Sequence, residues 1–233
     1  MRIKLLFVVL LTFIAGSALA DKPSLGVAEF RNDTSAGWWS GGVGRELAGM
    51  LTNELAGTGK FKMVEREKLD AVLEEQDLAD SGRVSKKTGA KIGKLTGAQY
   101  LVVATLSAFE ENVSGGGGGV SFRGVSLGGK KEEAYLAVDL RVIDTTTGEV
   151  EFTRSVEARA TSKGLAVGVY RGGFGGNLGK YEKTPTGKAI RAVIMEISEY
   201  LACAMVDQGD CMAEYQAKES SRREKTKKSI KLD

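Results

Sequence analysis

The side chains that most often carry catalysis or bind metal ions are sparse in this sequence. Its 233 residues include no histidine and only two cysteines, Cys203 and Cys211. Ser-His-Asp and Cys-His nucleophilic machinery is therefore excluded, and a usual zinc shell cannot be filled. The composition predicts no metal site and no active site built on the commonest general base.

Two adjacent acidic pairs, Glu110-Glu111 and Glu132-Glu133, are the remaining candidates for acid-base chemistry. Neighbouring residues in a strand point to opposite faces, so neither pair converges as an acid-base couple. The glycine run Gly115–Gly119 lacks the Lys-Ser or Lys-Thr and the following helix of a P-loop. We expect no enzyme activity, no cofactor and no nucleotide site.

The first 20 residues have the organisation of a secretory signal peptide. The positively charged Met1–Lys4 precedes an apolar run of 12 residues, Leu5–Gly16, and a small-residue motif that ends at Ala20. A membrane anchor is the weaker alternative, since about 20 apolar residues are needed to cross a bilayer. Cleavage after Ala20 would leave an exported chain, residues 21–233, without an N-terminal cysteine for lipidation.

Export changes the interpretation of the two cysteines. In an oxidising compartment, Cys203 and Cys211 are expected to form a disulfide that closes a short loop. Two separate buried thiols are the alternative.

Both tryptophans, Trp38 and Trp39, lie side by side among glycines and serines in the stretch Thr34–Gly42. One interpretation is that one or both rings fold back onto the core, because tryptophan is usually mostly buried. The other is that they face a partner, a pore or a lipid interface, where an apolar ring with a polar N–H is favoured. The residue types alone leave both interpretations open.

Net charge argues against nucleic acid as a partner. The formal charge is +3, and removal of Arg2 and Lys4 leaves +1, whereas nucleic-acid binders normally have a stronger basic bias. Seven Lys or Arg residues are concentrated in Ala217–Asp233. We expect residues 213–233 to be a basic C-terminal tail, and its segment from Ala217 to be solvated and frayed. An arm that touches acidic partners or lipid headgroups is the alternative.

Strands and helices alternate in the first half of the mature chain. Leu25–Phe30 predicts a strand, Val43–Leu55 an amphipathic helix and Phe61–Arg66 a second strand. A second helix is predicted over Glu67–Leu78, and a weaker third one over Lys86–Leu95. The apolar positions expected to bury the second helix are Leu69, Val72 and Leu73. This alternation predicts an α/β (α+β) layered domain with a central sheet flanked by helices.

The second half is richer in strand signals. A long strand is predicted from Ala98, and Tyr135–Arg159 alternates apolar with polar residues around a hairpin turn at Thr147-Gly148. Thr184-Pro185 predicts the start of a final helix. The apolar face of that helix consists of Ile190, Val193, Ile194, Ile197 and Leu201.

Five segments of the mature chain, in this order, are similar to one known family. They are Leu25–Thr34, Phe61–Gln76, Thr96–Gly116, Ala134–Val150 and Ala166–Gly172. Together they resemble the curli-secretion channels, the CsgG-like proteins, from about Leu25 to Cys203. The resemblance implies a periplasmic CsgG-like domain, residues 21–212, with two extended β-hairpins that join those of neighbouring subunits as a transmembrane barrel.

The resemblance also implies partners and a location. Members form a homo-oligomeric ring, of about nine subunits by resemblance, in the outer membrane of a Gram-negative bacterium. An unfolded polypeptide would pass from the periplasm to the cell surface, with periplasmic accessory proteins as further partners. The alternative function is a soluble periplasmic interaction or regulatory module of the cell envelope without a pore.

Two segments are long enough for the hairpins, about 109–133 and about 156–174. A crossing strand needs roughly 9–11 residues, and every backbone N–H and C=O must be paired. In the second segment the charged residues Glu157, Arg159 and Lys163 share one parity, which suits a water-filled lumen. Flexible surface hairpins of a soluble protein are the alternative.

The tryptophan loop has a counterpart in the family. There, the loop between the first strand and the first helix narrows the pore with a ring of aromatic and amide side chains. By location, Trp38 or Trp39 would supply the aromatic group at the constriction and Asn32 the polar group.

Overall fold

The computed structural model describes residues 21–115, 120–122, 125–127, 130–161, 176–181 and 183–230. The predicted signal peptide, residues 1–20, lies outside the described residues. So do residues 162–174 of the second predicted hairpin.

A mixed sheet organises the described chain. In chain order its strands are β1 (Ser24–Val27), β2 (Arg31–Asn32), β3 (Lys62–Met63), β4 (Tyr100–Gly115), β7 (Lys130–Asp144) and β8 (Val150–Thr161), while β5 (Val120–Phe122) and β6 (Val125–Leu127) pair only with each other. The strand order is β3-β1-β4-β7-β8, and β2 also pairs with β4. β1 is parallel to β3 and β4, whereas β4, β7 and β8 are antiparallel.

Four α-helices accompany this sheet within the described residues. They are α1 (Val43–Thr58), α2 (Leu69–Asp80), α3 (Pro185–Ala202) and α4 (Asp210–Ser229), with a 3₁₀ segment at Gly176–Tyr181 and a π-helical turn at Cys203–Asp207. The predicted α/β class, a central sheet flanked by helices, is confirmed.

Helix α3 begins and packs as its sequence predicts. Thr184 Oγ1 accepts a hydrogen bond from Gly187 N at 3.1 Å, and Pro185 occupies the first helical position. The face predicted to be apolar is buried against α1, β7 and β8. Its buried members are Ile190, Val193, Ile194, Ile197 and Leu201.

Helix α2 forms, but its predicted burial is wrong at two of the three positions, since only Leu69 is half-buried. Val72 is 37% exposed and Leu73 is 41% exposed, and Gln76 is the one buried residue of the helix. The reason is that α2 makes no extensive contact with any other described helix or strand. The periodicity of the sequence predicts the apolar face of α2 but does not show whether another element packs against it.

The helix predicted over Lys86–Leu95 is also wrong. The structure places turns and irregular backbone there, and Gly93 has a φ of +73°. That left-handed conformation is compatible with glycine and not with a continuing helix.

In its described part, residues 213–230, the basic tail is helical to Ser229, so the expectation of a frayed segment from Ala217 is wrong there. Helix α4 runs through Ser229, and Tyr215 on it is buried. A tertiary contact with the domain therefore orders a segment whose composition indicated a solvated end.

Replacement of two glycines in α1 tests how closely this helix approaches the sheet. A Cβ on Gly44 would lie 2.4 Å from the Phe30 carbonyl oxygen, whereas a Cβ on Gly49 would have no neighbour within 4 Å. We expect Gly44→Ala to lower the free energy of unfolding by about 1–3 kcal/mol through overpacking. Gly49→Ala, the matched control, should raise it by about 0.5–1 kcal/mol. Urea unfolding followed by tryptophan fluorescence measures both, and equal effects would contradict the close approach.

Candidate functional site

The antiparallel ribbon of β4 and β7 is the first part of the candidate site. Its register runs from Tyr100 opposite Asp144 to Gly115 opposite Lys130. Leu106 and Leu136 are buried, whereas Glu110 and Glu111 are exposed. The two arms of the hairpin predicted over 109–133 are thus paired beyond the buried part of the strands. At ~3.3 Å per residue, Phe109 to Gly115 spans about 20 Å.

A β-bulge interrupts the β4–β7 ladder a few residues before the ribbon leaves the core. The register shifts between Leu106 and Ala108, and a bulge of this kind locally increases strand twist. Beyond the bulge, the buried Thr186 at the start of α3 donates a hydrogen bond from its Oγ1 to Glu111 Oε1 at 3.0 Å. This contact holds the emerging strand against α3.

Strand β8 adds the first arm of the second predicted hairpin. It pairs with β7 from Val150 to Thr161. Glu157 and Arg159 are exposed, while Ala158 and Ala160 between and beyond them are half-buried. Arg159 lies 3.5 Å from Glu133 and 4.7 Å from the ring centroid of Tyr135 on β7. Glu157 and Arg159, which share one parity in the sequence, therefore lie on the more exposed face of β8.

The tryptophan loop, Asp33–Gly42, begins at the same bulge. Asp33 N donates to the Leu106 carbonyl oxygen at 3.0 Å. Asn32 Oδ1 accepts hydrogen bonds from Thr34 N at 2.9 Å and Thr34 Oγ1 at 2.7 Å. The half-buried Asn32 side chain therefore shapes the start of the loop.

The two tryptophans have different environments. Trp38 is 5% exposed and packs edge-to-face on Phe109 of β4, with ring centroids 5.7 Å apart. The buried Trp38 ring therefore has almost no surface that is accessible within the single subunit. Trp39 is half-buried, with its ring centroid 5.5 Å from that of Trp38. Trp39 is the member of the pair that keeps an accessible ring.

The 3₁₀ segment, Gly176–Tyr181, contacts both α1 and the tryptophan loop. Glu46 of α1 accepts hydrogen bonds from Asn177 N at 2.8 Å and Leu178 N at 3.0 Å. Asn177 Nδ2 donates to the Gly41 carbonyl oxygen at 2.9 Å. Sequence reasoning missed both Glu46 and Asn177, since nothing in their local sequence marks so distant a contact.

Comparison with known proteins identifies the family. The family model described as "Curli production assembly/transport component CsgG" matches residues 9–230. The chain belongs to the CsgG family. The family is described as an assembly and transport component, in agreement with the expectation of no enzyme activity.

Curated CsgG proteins are distant relatives. The curli production assembly/transport components of Salmonella typhimurium and Escherichia coli are each 26% identical over 137 residues, which is 57% of this chain and 50% of theirs. The chain thus spans about half the length of the curated relatives it matches.

Solved structures give weaker similarities. The hypothetical protein CT253 from Chlamydia trachomatis is 13% identical, with a TM-score of 0.47 over 80% of this chain and 99% of that one. A PelC dodecamer from Paraburkholderia phytofirmans is 14% identical, with a TM-score of 0.36 over 78% of this chain and 91% of that one.

No helix within the described residues is long and apolar enough to cross a membrane.

In this member of the CsgG family, an aromatic clamp attaches the C-terminal helix to the sheet. The Arg154 guanidinium of β8 lies 4.8 Å from the Tyr200 ring centroid and 4.7 Å from that of Tyr215. Burial raises the pKa of Tyr215 to about 12, with Glu196 and Glu199 acting in the same direction. The structure also joins Cys203 and Cys211 by a disulfide across the turn between α3 and α4.

Ion pairs extend this clamp along α4. Lys218 Nζ lies 3.7 Å from Glu196 of α3, and Arg222 lies 3.6 Å from Glu157 of β8. Hydrogen bonds from Arg222 and Arg223 lower the pKa of Glu219 from its ordinary value of 4.5 to about 2. A groove of about 410 Å³ between β8, α3 and α4 is lined by these paired charges, so they order α4 against the sheet.

Acidification should loosen α4. Because the folded-state pKa of Glu219 is depressed, its stabilisation is complete above the ordinary pKa near 4.5 and is lost as pH falls towards 2. We expect Glu219→Gln to remove about 1 kcal/mol of the fall in unfolding free energy between these pH values. Urea unfolding at a series of pH values measures it.

The control for this experiment is Glu224→Gln, because the Glu224 carboxylate lies 3.8 Å from Lys228 Nζ on an exposed part of the same helix. It should keep the wild-type pH profile. A wild-type profile in Glu219→Gln would contradict the role of that carboxylate.

Proposed function

We propose that this chain is a subunit of an outer-membrane secretion channel of the curli assembly and transport type. In this proposal it passes unfolded polypeptide from the periplasm to the cell surface. The observation that carries the proposal is the β4–β7–β8 ribbon, whose pairing continues beyond the buried core in a chain of the CsgG family.

Backbone chemistry supports a shared barrel rather than isolated hairpins. In a bilayer each unpaired N–H or C=O costs several kcal/mol, so a strand can cross only with a partner on both sides. Within the described residues, β4 beyond the bulge is paired on one side by β7, and β7 is paired on both sides up to Glu133. Closure then requires strands from neighbouring copies, which a homo-oligomeric ring supplies.

The proposed transport needs no energy source within the chain. The sequence has neither a P-loop nor a dinucleotide fingerprint. Movement of the substrate would depend on diffusion and on periplasmic accessory proteins. The ring size of about nine subunits is carried over by resemblance.

The tryptophan loop is the proposed constriction. Trp39 keeps an accessible aromatic ring, and Asn32 places an amide at the start of the same loop. Trp38 contributes indirectly, because its packing on Phe109 fixes the loop to the strand that enters the proposed hairpin.

Electron microscopy of particles extracted in detergent from outer membranes tests the channel directly. We expect crowns with a central hole that sediment with outer membranes and resist carbonate extraction. A monomer that fractionates with the soluble periplasm would overturn the channel and favour the envelope interaction module.

Truncation of Trp39 tests the constriction. In planar bilayers, Trp39→Ala should raise single-channel conductance because a half-buried ring is removed from the proposed narrowest point. Trp39→Phe, which keeps an aromatic ring, is the matched control and should stay close to wild type. Equal conductance in all three proteins would remove Trp39 from the constriction.

A further inference from the structure

Helix α2 presents an apolar surface that its own subunit leaves uncovered. Val72, Leu73 and Leu78 are 37%, 41% and 39% exposed, and α2 makes no extensive contact with another described helix or strand. The segment that follows adds Ile92 and Leu95, 58% and 48% exposed. Large exposed apolar groups concentrated in one region indicate an interaction surface.

The charge of α2 restricts what can cover it. The helix carries five acidic residues and no basic residue. They are Asp70, Glu74, Glu75, Asp77 and Asp80. A partner surface that fits should therefore be basic and should also offer apolar groups.

Helix α4 provides such a surface. Its last two turns, Arg222–Ser229, contain five basic residues and one acidic residue. Ile230 follows directly and is 49% exposed. Basic side chains and an accessible aliphatic group therefore occur together at the end of α4, as acidic and aliphatic groups do on α2.

These two surfaces belong to opposite ends of the sheet. Helix α2 follows β3, the strand at one end of the order, and Arg66 just before it packs against Gly26 of β1. Helix α4 is held to β8, the strand at the other end, through Arg222 and Glu157. One molecule cannot bring the two ends of its own sheet together, but two copies side by side can.

We propose that α2 of one subunit docks on the Arg222–Ile230 surface of α4 in a second copy of this chain. Such a contact is heterologous, because different surfaces of identical subunits meet, and repetition of it closes a ring. The inference rests on the proposed channel and names the surfaces that would hold its subunits together.

Charge reversal with rescue tests this contact in the full chain extracted in detergent. Glu74→Lys with Glu75→Lys, and separately Lys225→Glu with Lys227→Glu, place like charges opposite each other. Each pair should weaken each contact about tenfold, which corresponds to about 1.4 kcal/mol. Because the contact is repeated around the ring, the ring fraction should fall by at least tenfold. The four substitutions together should restore most of the rings. Native mass spectrometry measures the fractions, and circular dichroism checks that each variant is folded.

The segment that follows α2 provides a matched control. Lys86→Glu with Lys87→Glu makes a charge change of the same size in the segment after α2, and it should leave the rings intact. If Lys86 and Lys87, rather than α4 of the neighbouring copy, neutralise the acidic side chains of α2, this control variant should lose the rings instead.

Three outcomes would overturn the contact. These are rings that survive either reversal, a combined variant that is not rescued, and α4 variants that lose binding to anionic lipid vesicles but keep the ring. In each of these cases the wild-type ring is still seen, so the channel proposal stands. A wild-type chain that is monomeric under all detergent conditions overturns the channel instead.

Discussion

The structure depends on the need of an extended backbone for hydrogen-bond partners along its whole length. Strand β4 is 16 residues long and β7 is 15 residues long, and both continue past the part of the sheet that α1 and α3 cover. Side-chain burial stabilises the inner part of the ribbon, with Leu106, Leu136 and Leu140 in the core. Beyond it, strand pairing has to replace hydrophobic packing, because unpaired backbone groups away from water are costly. The bulge at Leu106/Ala108, the Trp38–Phe109 contact and the Thr186–Glu111 hydrogen bond all lie at this transition.

The extended strand β8 also anchors the C-terminal helix α4. Arg154 projects from β8 between two tyrosine rings, one on α3 and one on α4, and lies 3.9 Å from Glu196. The disulfide fixes the turn between those helices. Lys60, two residues after α1, forms an ion pair with Asp207 in the same turn. A helix whose own sequence is strongly polar is thereby held by a few contacts near its start. Its far end is left to present charge to the surroundings.

The sequence predicted the elements whose determinants are local. The Thr184 cap, the apolar face of α3 and the β7–β8 turn with Gly148 at a φ of +77° could all be read from neighbouring residues. Determinants that lie far apart could not be read. Periodicity predicted an apolar face on α2, but it could not predict that no other described helix or strand packs on that face. Composition could not show that Tyr215 contacts Arg154, which lies 61 positions earlier in the sequence (215 − 154). In the candidate site, the two adjacent tryptophans share the same local sequence. The sequence could not predict which of them is buried, because that depends on the contact between Trp38 and the distant Phe109.

Glu46 of α1 links two segments that are far apart in the sequence. Its carboxylate accepts hydrogen bonds from Asn177 N and Leu178 N, and the Asn177 side-chain amide donates to the Gly41 carbonyl oxygen in the tryptophan loop. The start of the 3₁₀ segment, the first turn of α1 and the end of the tryptophan loop are therefore coupled, and none of the three can move alone without breaking a hydrogen bond.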